Sequence, residues 1–242
     1  MPSKTRISGL SLRPGQVIRG MMSALLPARM FITRGAGSSG AVCLTFDDGP
    51  HPIQTPMVLD LLREQGVCAT FFLIGQQIEK HPELVRRIVA EGHCIGHHTF
   101  THSHPSDTSA GQLMKEIERT DELLREMVGG APRIFRPPYG KLSAAKLRLL
   151  WRAGMSVVLW NVDPKDFETP STQALRARIE AQTYRGGDII LLHDVMPVTA
   201  TVLSDLIRRV RESSLGFTTV DQWIGRSETG QAKAKEAGST AR

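Results

Sequence analysis

Short apolar, β-prone runs alternate with amphipathic segments of helical period between about residue 41 and residue 220 of this chain. The apolar runs contain few polar residues, which is typical of strands that are covered on both faces. Strands that alternate with helices form a parallel sheet, either open or closed into a barrel. The pattern therefore predicts an α/β fold with about seven parallel strands and about six helices in a single domain at 41–225, and 242 residues are enough for its core.

Glycine and proline mark several of the predicted helix ends. Gly92, Gly129 and Gly154 each follow a helical segment, and Pro82 stands in a first turn, where proline is tolerated. The predicted strands are 41–46, 69–74, 94–96, 133–135, 156–160, 188–192 and 217–220, and the predicted helices are 54–65, 81–91, 110–127, 143–153, 172–183 and 198–211.

Five polar clusters lie in order along the chain, each at the carboxyl end of a predicted strand. The carboxyl ends of parallel strands meet at one end of a barrel, and functional residues gather there. The clusters therefore favour a barrel over an open sheet and predict one site. They are TFDDGP at 45–50, HTFTH at 98–102, RPPYG at 136–140, DPKDF at 163–167 and LLHD at 191–194.

Two of these clusters contain residue types that bind divalent metals. His98 and His102 are four residues apart, so both rings can reach one ion from a single turn of chain, and Asp48 can add an oxygen ligand from another strand end. Two imidazoles and one carboxylate suit Zn²⁺ best, and also Co²⁺, Mn²⁺ or Ni²⁺. The neighbouring His97 and His104 leave the choice of histidines open from spacing alone.

The carboxylate beside the predicted ligand suits a general base. A bound metal lowers the pKa of water toward about 7, so Asp47 would be basic enough to take a proton from that water. Arg136 can pair with Asp47 and hold it ionised. The doublet Asp47-Asp48 also fits a turn with capping side chains, because Gly-Pro follows it.

A leaving group needs a proton, and His193 at the far end of the sheet is the candidate acid. Histidine has a suitable pKa for general acid catalysis near neutral pH. A neighbouring carboxylate would keep the imidazole charged, and the pattern leaves both Asp163 and Asp166 open for that role. A backbone N–H in the turn at 138–140 is a candidate donor to an oxyanion.

Other chemistries fit less well. The chain has no G-x-S-x-G element, which argues against a serine nucleophile of that kind. The string G-x-G-x-x-G at 35–40 precedes a predicted strand instead of following one, which argues against dinucleotide binding. The combined residues therefore predict metal-assisted hydrolysis of an amide or ester.

The net charge of +6 is carried by the two ends of the chain. Residues 1–40 contain six basic residues and no acidic one, residues 226–242 have a net charge of +2, and 41–225 have a net charge of −2. The negative net charge of residues 41–225 argues against a nucleic-acid partner. We predict that 1–40 form a basic extension that is irregular or partly helical. The alternative to a solvated arm is a segment that makes weak contact with an anionic membrane surface. The tail at 226–242 is expected to be loose.

The cellular compartment can be predicted from the cysteines and from the uncharged stretch near the start of the chain. Cys43, Cys68 and Cys94 lie in or beside apolar runs without paired spacing, which indicates free thiols and no disulfide framework. The longest uncharged stretch near the start, 20–28, is shorter than the roughly 20 residues that span a bilayer and makes a poor secretory signal. We therefore predict a cytoplasmic protein, or one peripheral to the cytoplasmic face of the membrane.

With the intervening segments ATFFLIG at 69–75 and EGHCIGHH at 91–98, the five clusters resemble the polysaccharide deacetylase family, which has a NodB-homology domain and forms the fourth carbohydrate esterase family. The resemblance covers roughly residues 41–223. It implies a distorted (β/α) barrel that removes N- or O-acetyl groups from carbohydrates with a divalent metal.

The resemblance also implies roles for individual residues. Asp47 would be the base, and His193 would be the acid, tuned by Asp166. The other implied roles are metal binding by Asp48, His98 and His102, orientation of the base by Arg136, an oxyanion contact from the Tyr139 amide, and lining of the acetyl-methyl pocket by Leu191.

Two positions depart from the family pattern. Phe167 stands where tryptophan is usual, so it keeps an apolar wall beside a sugar but loses the indole donor. His97 stands where asparagine is common, which affects hydrogen bonds behind the ligands. Because no acidic, basic or ligand position is missing, we expect an active N-deacetylase of N-acetylhexosamine units. The alternatives are a hydrolase of a small non-sugar amide or O-acetyl ester, and a non-catalytic carbohydrate-binding relative.

Overall fold

The strands all run parallel in one curved sheet. The computed structural model describes residues 30–35, 39–130, 132–169 and 171–224. Most of the predicted extension at 1–40 and the whole tail at 226–242 therefore lie outside the described residues. The strands are β1 (Phe31–Ile32), β2 (Ala41–Asp47), β3 (Thr70–Leu73), β4 (Cys94–His97), β5 (Ile134–Phe135), β6 (Ser156–Val158), β7 (Ile189–His193) and β8 (Gly216–Phe217).

Strand order shows how the sheet closes. The order is β1-β6-β5-β4-β3-β2-β7, and β8 pairs with the amino end of β2. A parallel bridge between Val162 and Ile190 joins the chain that follows β6 to β7. The sheet is thereby closed into a distorted barrel, and the predicted fold class is confirmed.

Helices cover the outside of the barrel. The first, α1 (Gln54–Gln65), has the predicted bounds, whereas α2 (Gly75–Lys80) was not predicted, because a six-residue helix is too short to show a clear apolar period. The others are α3 (Pro82–Ala90), α4 (Ala110–Val128), α5 (Ala144–Arg152), α6 (Thr172–Ala181) and α7 (Pro197–Glu212), with 3₁₀ turns at Pro138–Gly140 and Asp166–Glu168.

The long helix α4 has clear start and stop signals. The Ser109 side chain accepts a hydrogen bond from the Gln112 amide at 3.1 Å, and the Gln112 side chain accepts one from the Ser109 amide at 2.6 Å. This reciprocal capping box satisfies two amide groups at the helix start. The helix ends at Gly129, whose φ of 72° is a left-handed conformation that glycine adopts easily.

The main core lies between the β2–β3–β7 part of the sheet and the helices α1 and α7. Leu44 and Phe46 of β2 pack there with Ile190 of β7 and Leu203 of α7, and all four side chains are fully buried. Truncation of one such leucine to alanine costs about 2–5 kcal/mol of stability. This packing fixes the strand that ends at Asp47 and leads directly to Asp48.

Strand β1 lies inside the segment predicted to be an irregular extension. Phe31 and Ile32 pair with Val157 and Val158 of β6, and the Leu159 amide donates to the Ile32 carbonyl at 2.7 Å. Two apolar residues are too few for a strand pattern to be recognised. The sheet therefore begins before residue 41, which corrects the irregular structure predicted for 31–32.

No helix among the described residues is both long enough and apolar enough to cross a membrane. The predicted cytoplasmic location and the contact of the basic segment with a membrane surface stay predictions.

Candidate active site

The five polar clusters meet at the carboxyl end of the barrel. Asp47 is the last residue of β2 and His193 is the last residue of β7, and these two residues are partners in the β2–β7 register. His98 follows β4 directly, and Arg136 follows β5 directly. The parallel sheet therefore places these four side chains at one edge, as the sequence predicts.

Asp48, His98 and His102 form a compact group of possible ligands. Asp48 Oδ1 lies 3.4 Å from His98 Nε2 and 3.2 Å from His102 Nε2. One donor atom from each of the three residues lies within 4.8 Å of the other two. Burial alone would raise the pKa of Asp48, but the nearby imidazoles outweigh it and lower that pKa to about 2, so the carboxylate is charged at neutral pH.

The chemistry of the Asp48, His98 and His102 side chains is suited to a divalent metal. Asp48 Oδ1 is buried and has no hydrogen-bond partner of acceptable geometry among the described residues. Such an orphaned acceptor is costly unless another group satisfies it. A cation held by one carboxylate oxygen and two imidazole nitrogens would do so, and zinc suits this set of ligands.

The orientation of His98 is fixed from behind. Its Nδ1 lies 2.7 Å from the Arg136 carbonyl oxygen, and because a carbonyl only accepts, Nδ1 must be the donor. In the neutral ring, a proton on Nδ1 leaves the lone pair on Nε2, which is the atom that faces Asp48. Metal-binding histidines commonly have their other nitrogen held in this way.

The structure separates the four neighbouring histidines into two pairs. His97 points away from the ligand group, and its Nε2 lies 2.8 Å from Asp121 Oδ1 on α4. His104 contacts the Ser106 hydroxyl at 2.7 Å, and its ring lies 5.0 Å from the ring of Tyr139. Only His98 and His102 of these four histidines face Asp48, a choice that spacing alone leaves open.

Asp47 is held by a fully buried arginine. Arg136 Nη1 donates to Asp47 Oδ1 at 2.7 Å and to the Thr45 hydroxyl at 2.8 Å. The guanidinium also donates to the Val158 and Leu159 carbonyls. The other oxygen, Asp47 Oδ2, lies 3.8 Å from His98 Nε2 and so faces the ligand group.

His193 is held in place by Asp166. His193 Nδ1 lies 2.8 Å from Asp166 Oδ1, and the His193 amide donates to Asp166 Oδ2 at 2.7 Å. Burial would lower the pKa of His193, but the Asp166 carboxylate outweighs it and raises that pKa to about 9. Asp163 contacts Lys165 instead, at 3.1 Å, so the geometry favours Asp166 over Asp163.

Two exposed aromatic rings border the opening of the site. Tyr139 is 55% exposed, and its ring centroid lies 5.2 Å from that of His102. Phe167 is 44% exposed, and its ring lies 5.2 Å from His193 in an edge-on arrangement. Leu191 is buried and precedes His193 by two residues in β7, so both side chains project from the same face of the strand.

A sequence model of the family described as polysaccharide deacetylase matches residues 34–158, which is more than half of the chain. This chain belongs to the polysaccharide deacetylase family. The matched region contains the clusters at 45–50, 98–102 and 136–140.

Named relatives in the family include two bacterial deacetylases. The chitooligosaccharide deacetylase of Azorhizobium caulinodans is 38% identical over 170 residues, which cover 70% of this chain and 80% of that protein. The peptidoglycan-N-acetylglucosamine deacetylase of Bacillus cereus is 35% identical over 188 residues, which cover 76% of this chain and 87% of that protein.

The barrel is also that of a fungal family member. The structure of the chitin deacetylase from Colletotrichum lindemuthianum superposes with a TM-score of 0.76 at 30% sequence identity. The match covers 83% of this chain and 93% of that one.

Asp194 lies in the last polar cluster, but no role was predicted for it from the sequence. Asp194 is fully buried, and its Oδ2 accepts a hydrogen bond from the Thr55 hydroxyl. A Cβ on Gly49 would lie 2.3 Å from the same oxygen, so only glycine fits there. Burial raises the pKa of Asp194 to about 7. Its contacts join the end of β7 to Gly49 and to Thr55 of helix α1, and such long-range contacts leave no local pattern in the sequence.

Proposed function

We propose that this protein is a metal-dependent hydrolase that removes N-acetyl groups from N-acetylhexosamine units of an oligosaccharide, polysaccharide or sugar conjugate. The observation that carries the proposal is the arrangement of the site. A carboxylate held by arginine and a histidine held by carboxylate, which are partners in the β2–β7 register, lie beside the Asp48, His98 and His102 group. The names of the relatives, which include chitooligosaccharide and peptidoglycan-N-acetylglucosamine deacetylases, support the same substrate class.

We assign Asp48, His98 and His102 as the residues that hold the metal. A divalent cation at such a site acts as a Lewis acid, which lowers the pKa of water and polarises a carbonyl. Zn²⁺ is the ion that we expect, with Co²⁺, Mn²⁺ and Ni²⁺ as substitutes, because all of them accept imidazole and carboxylate ligands.

Asp47 is assigned as the general base. Its Oδ1 is occupied by Arg136, so Oδ2 is the atom that would accept a proton from the attacking water. The 2.7 Å contact with Arg136 pairs this buried carboxylate with a positive charge. The same contact prevents rotation of the side chain, so the basic oxygen keeps its direction toward the ligand group.

His193 is assigned as the general acid. Because the Asp166 carboxylate raises its pKa to about 9, the ring carries both protons at neutral pH. Nδ1 is engaged by Asp166, which leaves the Nε2 proton for the departing amine. A positioned acid of this kind contributes about 10²–10⁴-fold to a rate.

The remaining residues are assigned to the sugar and its acetyl group. The Tyr139 amide is the assigned donor to the oxyanion that forms at the attacked carbonyl. Leu191 lies on the His193 face of β7, where a buried apolar side chain suits the acetyl methyl. The exposed rings of Tyr139 and Phe167 offer flat apolar surfaces of the kind that sugar rings pack against.

The test is acetate release from N-acetylglucosamine oligomers of graded length. Metal-stripped protein would be assayed with and without added Zn²⁺ or Co²⁺. We expect release that requires the metal and that changes with oligomer length according to the number of sugars bound. Metal binding without release from any oligomer would exclude N-acetylglucosamine oligomers as the substrate and favour another acetylated glycan, a lipid-linked sugar or a small amide.

A further inference from the structure

The turn between the two histidines of the ligand group has an unusual backbone. Thr99 has a φ of 66° and His102 has a φ of 54°, and neither is glycine. Left-handed conformations are costly for residues with a Cβ and persist only where the surroundings hold them. The relative direction of the His98 and His102 rings therefore depends on the groups that hold residues 99–102.

The carbonyl groups of this turn are held by helix α2. The Gly75 amide donates to the Thr99 carbonyl, and the Gln76 amide donates to the Phe100 carbonyl, both at 3.0 Å. Phe100 is almost fully buried under the Arg119 guanidinium, whose carbon lies 3.7 Å from the ring centroid. One side of the turn is thus fixed to a neighbouring helix.

Two amide groups of the same turn are held by a single side chain of helix α4, while the His102 amide donates to the Thr99 hydroxyl at 2.9 Å. Glu116 Oε2 accepts hydrogen bonds from the Phe100 amide at 3.0 Å and from the Thr101 amide at 3.2 Å. Glu116 Oε1 accepts a third from the Thr101 hydroxyl at 2.8 Å. Hydrogen bonds to an ionised acceptor are stronger than those between neutral groups, so this carboxylate is well suited to hold a strained turn.

We propose that Glu116 is a positioning residue for the metal site, which holds the 99–102 turn so that His98 and His102 face the same ion. The inference rests on the proposed function, because it takes these histidines as ligands. Glu116 contacts neither the ligand group nor a reacting atom, and it acts through the backbone that links the two imidazoles. Without it, the turn can relax from the left-handed conformations, and the ring of His102 loses its direction.

The first variant is Glu116→Ala, with Glu118→Ala as the matched control. Glu118 lies on the same helix and is exposed. Zinc affinity would be measured by competition with a chelator, and the visible spectrum of bound Co²⁺ would report ligand geometry. We expect zinc affinity to fall about 10–100-fold, as for other partners behind metal ligands, with an altered Co²⁺ spectrum, while the control binds as the native protein does.

Two milder variants separate positioning from a loss of folding. Glu116→Gln keeps an acceptor oxygen and should retain part of the affinity, and Thr101→Ala removes one of the three hydrogen bonds and should cost less than Glu116→Ala. Far-UV circular dichroism and the Tm of the metal-free proteins would be recorded for each. If Glu116→Ala does not fold, these two variants decide, and native zinc affinity in both would overturn the proposal.

Other results distinguish this proposal from the proposed function. Folded Glu116→Ala that binds zinc as tightly as Glu118→Ala, with an unchanged Co²⁺ spectrum, would overturn the role of Glu116 and leave the function standing. Native protein that binds zinc but releases no acetate would contradict the function alone, since the affinity series still decides about Glu116. Native protein that binds none of Zn²⁺, Co²⁺, Mn²⁺ and Ni²⁺ would overturn both proposals.

Discussion

Asp166 and Asp48 each lie close to a histidine of the site, but their surroundings differ. Asp166 accepts hydrogen bonds from the His193 ring and amide, from the Phe167 amide and from the Thr199 hydroxyl. Asp48 Oδ1 is buried and faces two imidazole nitrogens without a well-formed hydrogen bond.

We call the Asp166–His193 region the acid side and the Asp48–His98–His102 region the ligand side. The acid side is satisfied by its own hydrogen bonds, so its geometry should not depend on a bound ion. The ligand side brings two imidazole nitrogens close to an unsatisfied carboxylate oxygen, so a cation should complete it. The difference indicates that metal removal and substitution of residues will affect the two sides separately.

Loss of the ligand side should have the largest effect. His98→Ala removes a ligand, so we expect no detectable acetate release and no rise in Tm on addition of zinc. Zinc at about 100 times its Kd should stabilise the native protein by about 2.7 kcal/mol, which a thermal melt would detect. His104→Ala is the control, because that ring lies outside the group, and loss of zinc binding in this variant would mean that the ligands are wrongly assigned.

Asp47→Asn should separate metal binding from chemistry. The amide cannot accept the proton, so we expect turnover to fall by about 10²–10⁴-fold while zinc affinity stays within a few-fold of native. The two measurements are kcat at saturating zinc and a chelator competition. A near-native rate would remove Asp47 as the base, and a parallel loss of zinc would make it a ligand.

Asp166→Asn should change the pH dependence through the acid side alone. The acid must be protonated, so the native rate should fall as pH rises through the His193 pKa of about 9. Loss of the carboxylate should lower that pKa by roughly 1–3 units, which moves the alkaline decline of kcat to lower pH. Asp163→Asn is the control and should leave the profile unchanged. An unmoved decline in Asp166→Asn would exclude His193 as the group that titrates there.

The smallest effect is expected at the exposed ring of Phe167, which borders the opening of the site and belongs to neither the acid side nor the ligand side. Phe167→Ala removes an exposed ring, so we expect KM for the sugar to rise a few-fold while kcat and zinc affinity remain near native. Phe167→Trp, which restores the residue usual in the family, should bind at least as tightly as the native protein. Val89→Ala, another exposed apolar residue, is the control. If Phe167→Ala lowered kcat and left KM unchanged, the ring would instead act in catalysis through its contact with His193.

Parts of the fold with strong local signals were predictable, and parts without them were not. Helix α1 has the predicted bounds because a clear apolar period ends at a glycine. Helix α2 and strand β1 were missed because six and two residues carry too little pattern. Both are stabilised by contacts with distant segments, such as the pairing of β1 with β6.

The amino-acid sequence by itself determined the alternation of strands and helices and the position of the polar clusters at strand ends. It also determined which side chains are available to bind a metal or transfer a proton. Those follow from local propensity and period, which act between near neighbours. Only the tertiary structure decided that His98 and His102 face Asp48 while His97 and His104 do not. It also decided that Asp166 rather than Asp163 contacts His193, and that Glu116 accepts hydrogen bonds from the turn between His98 and His102. These choices depend on directions of side chains brought together from separate strands and helices, and no local pattern encodes such directions.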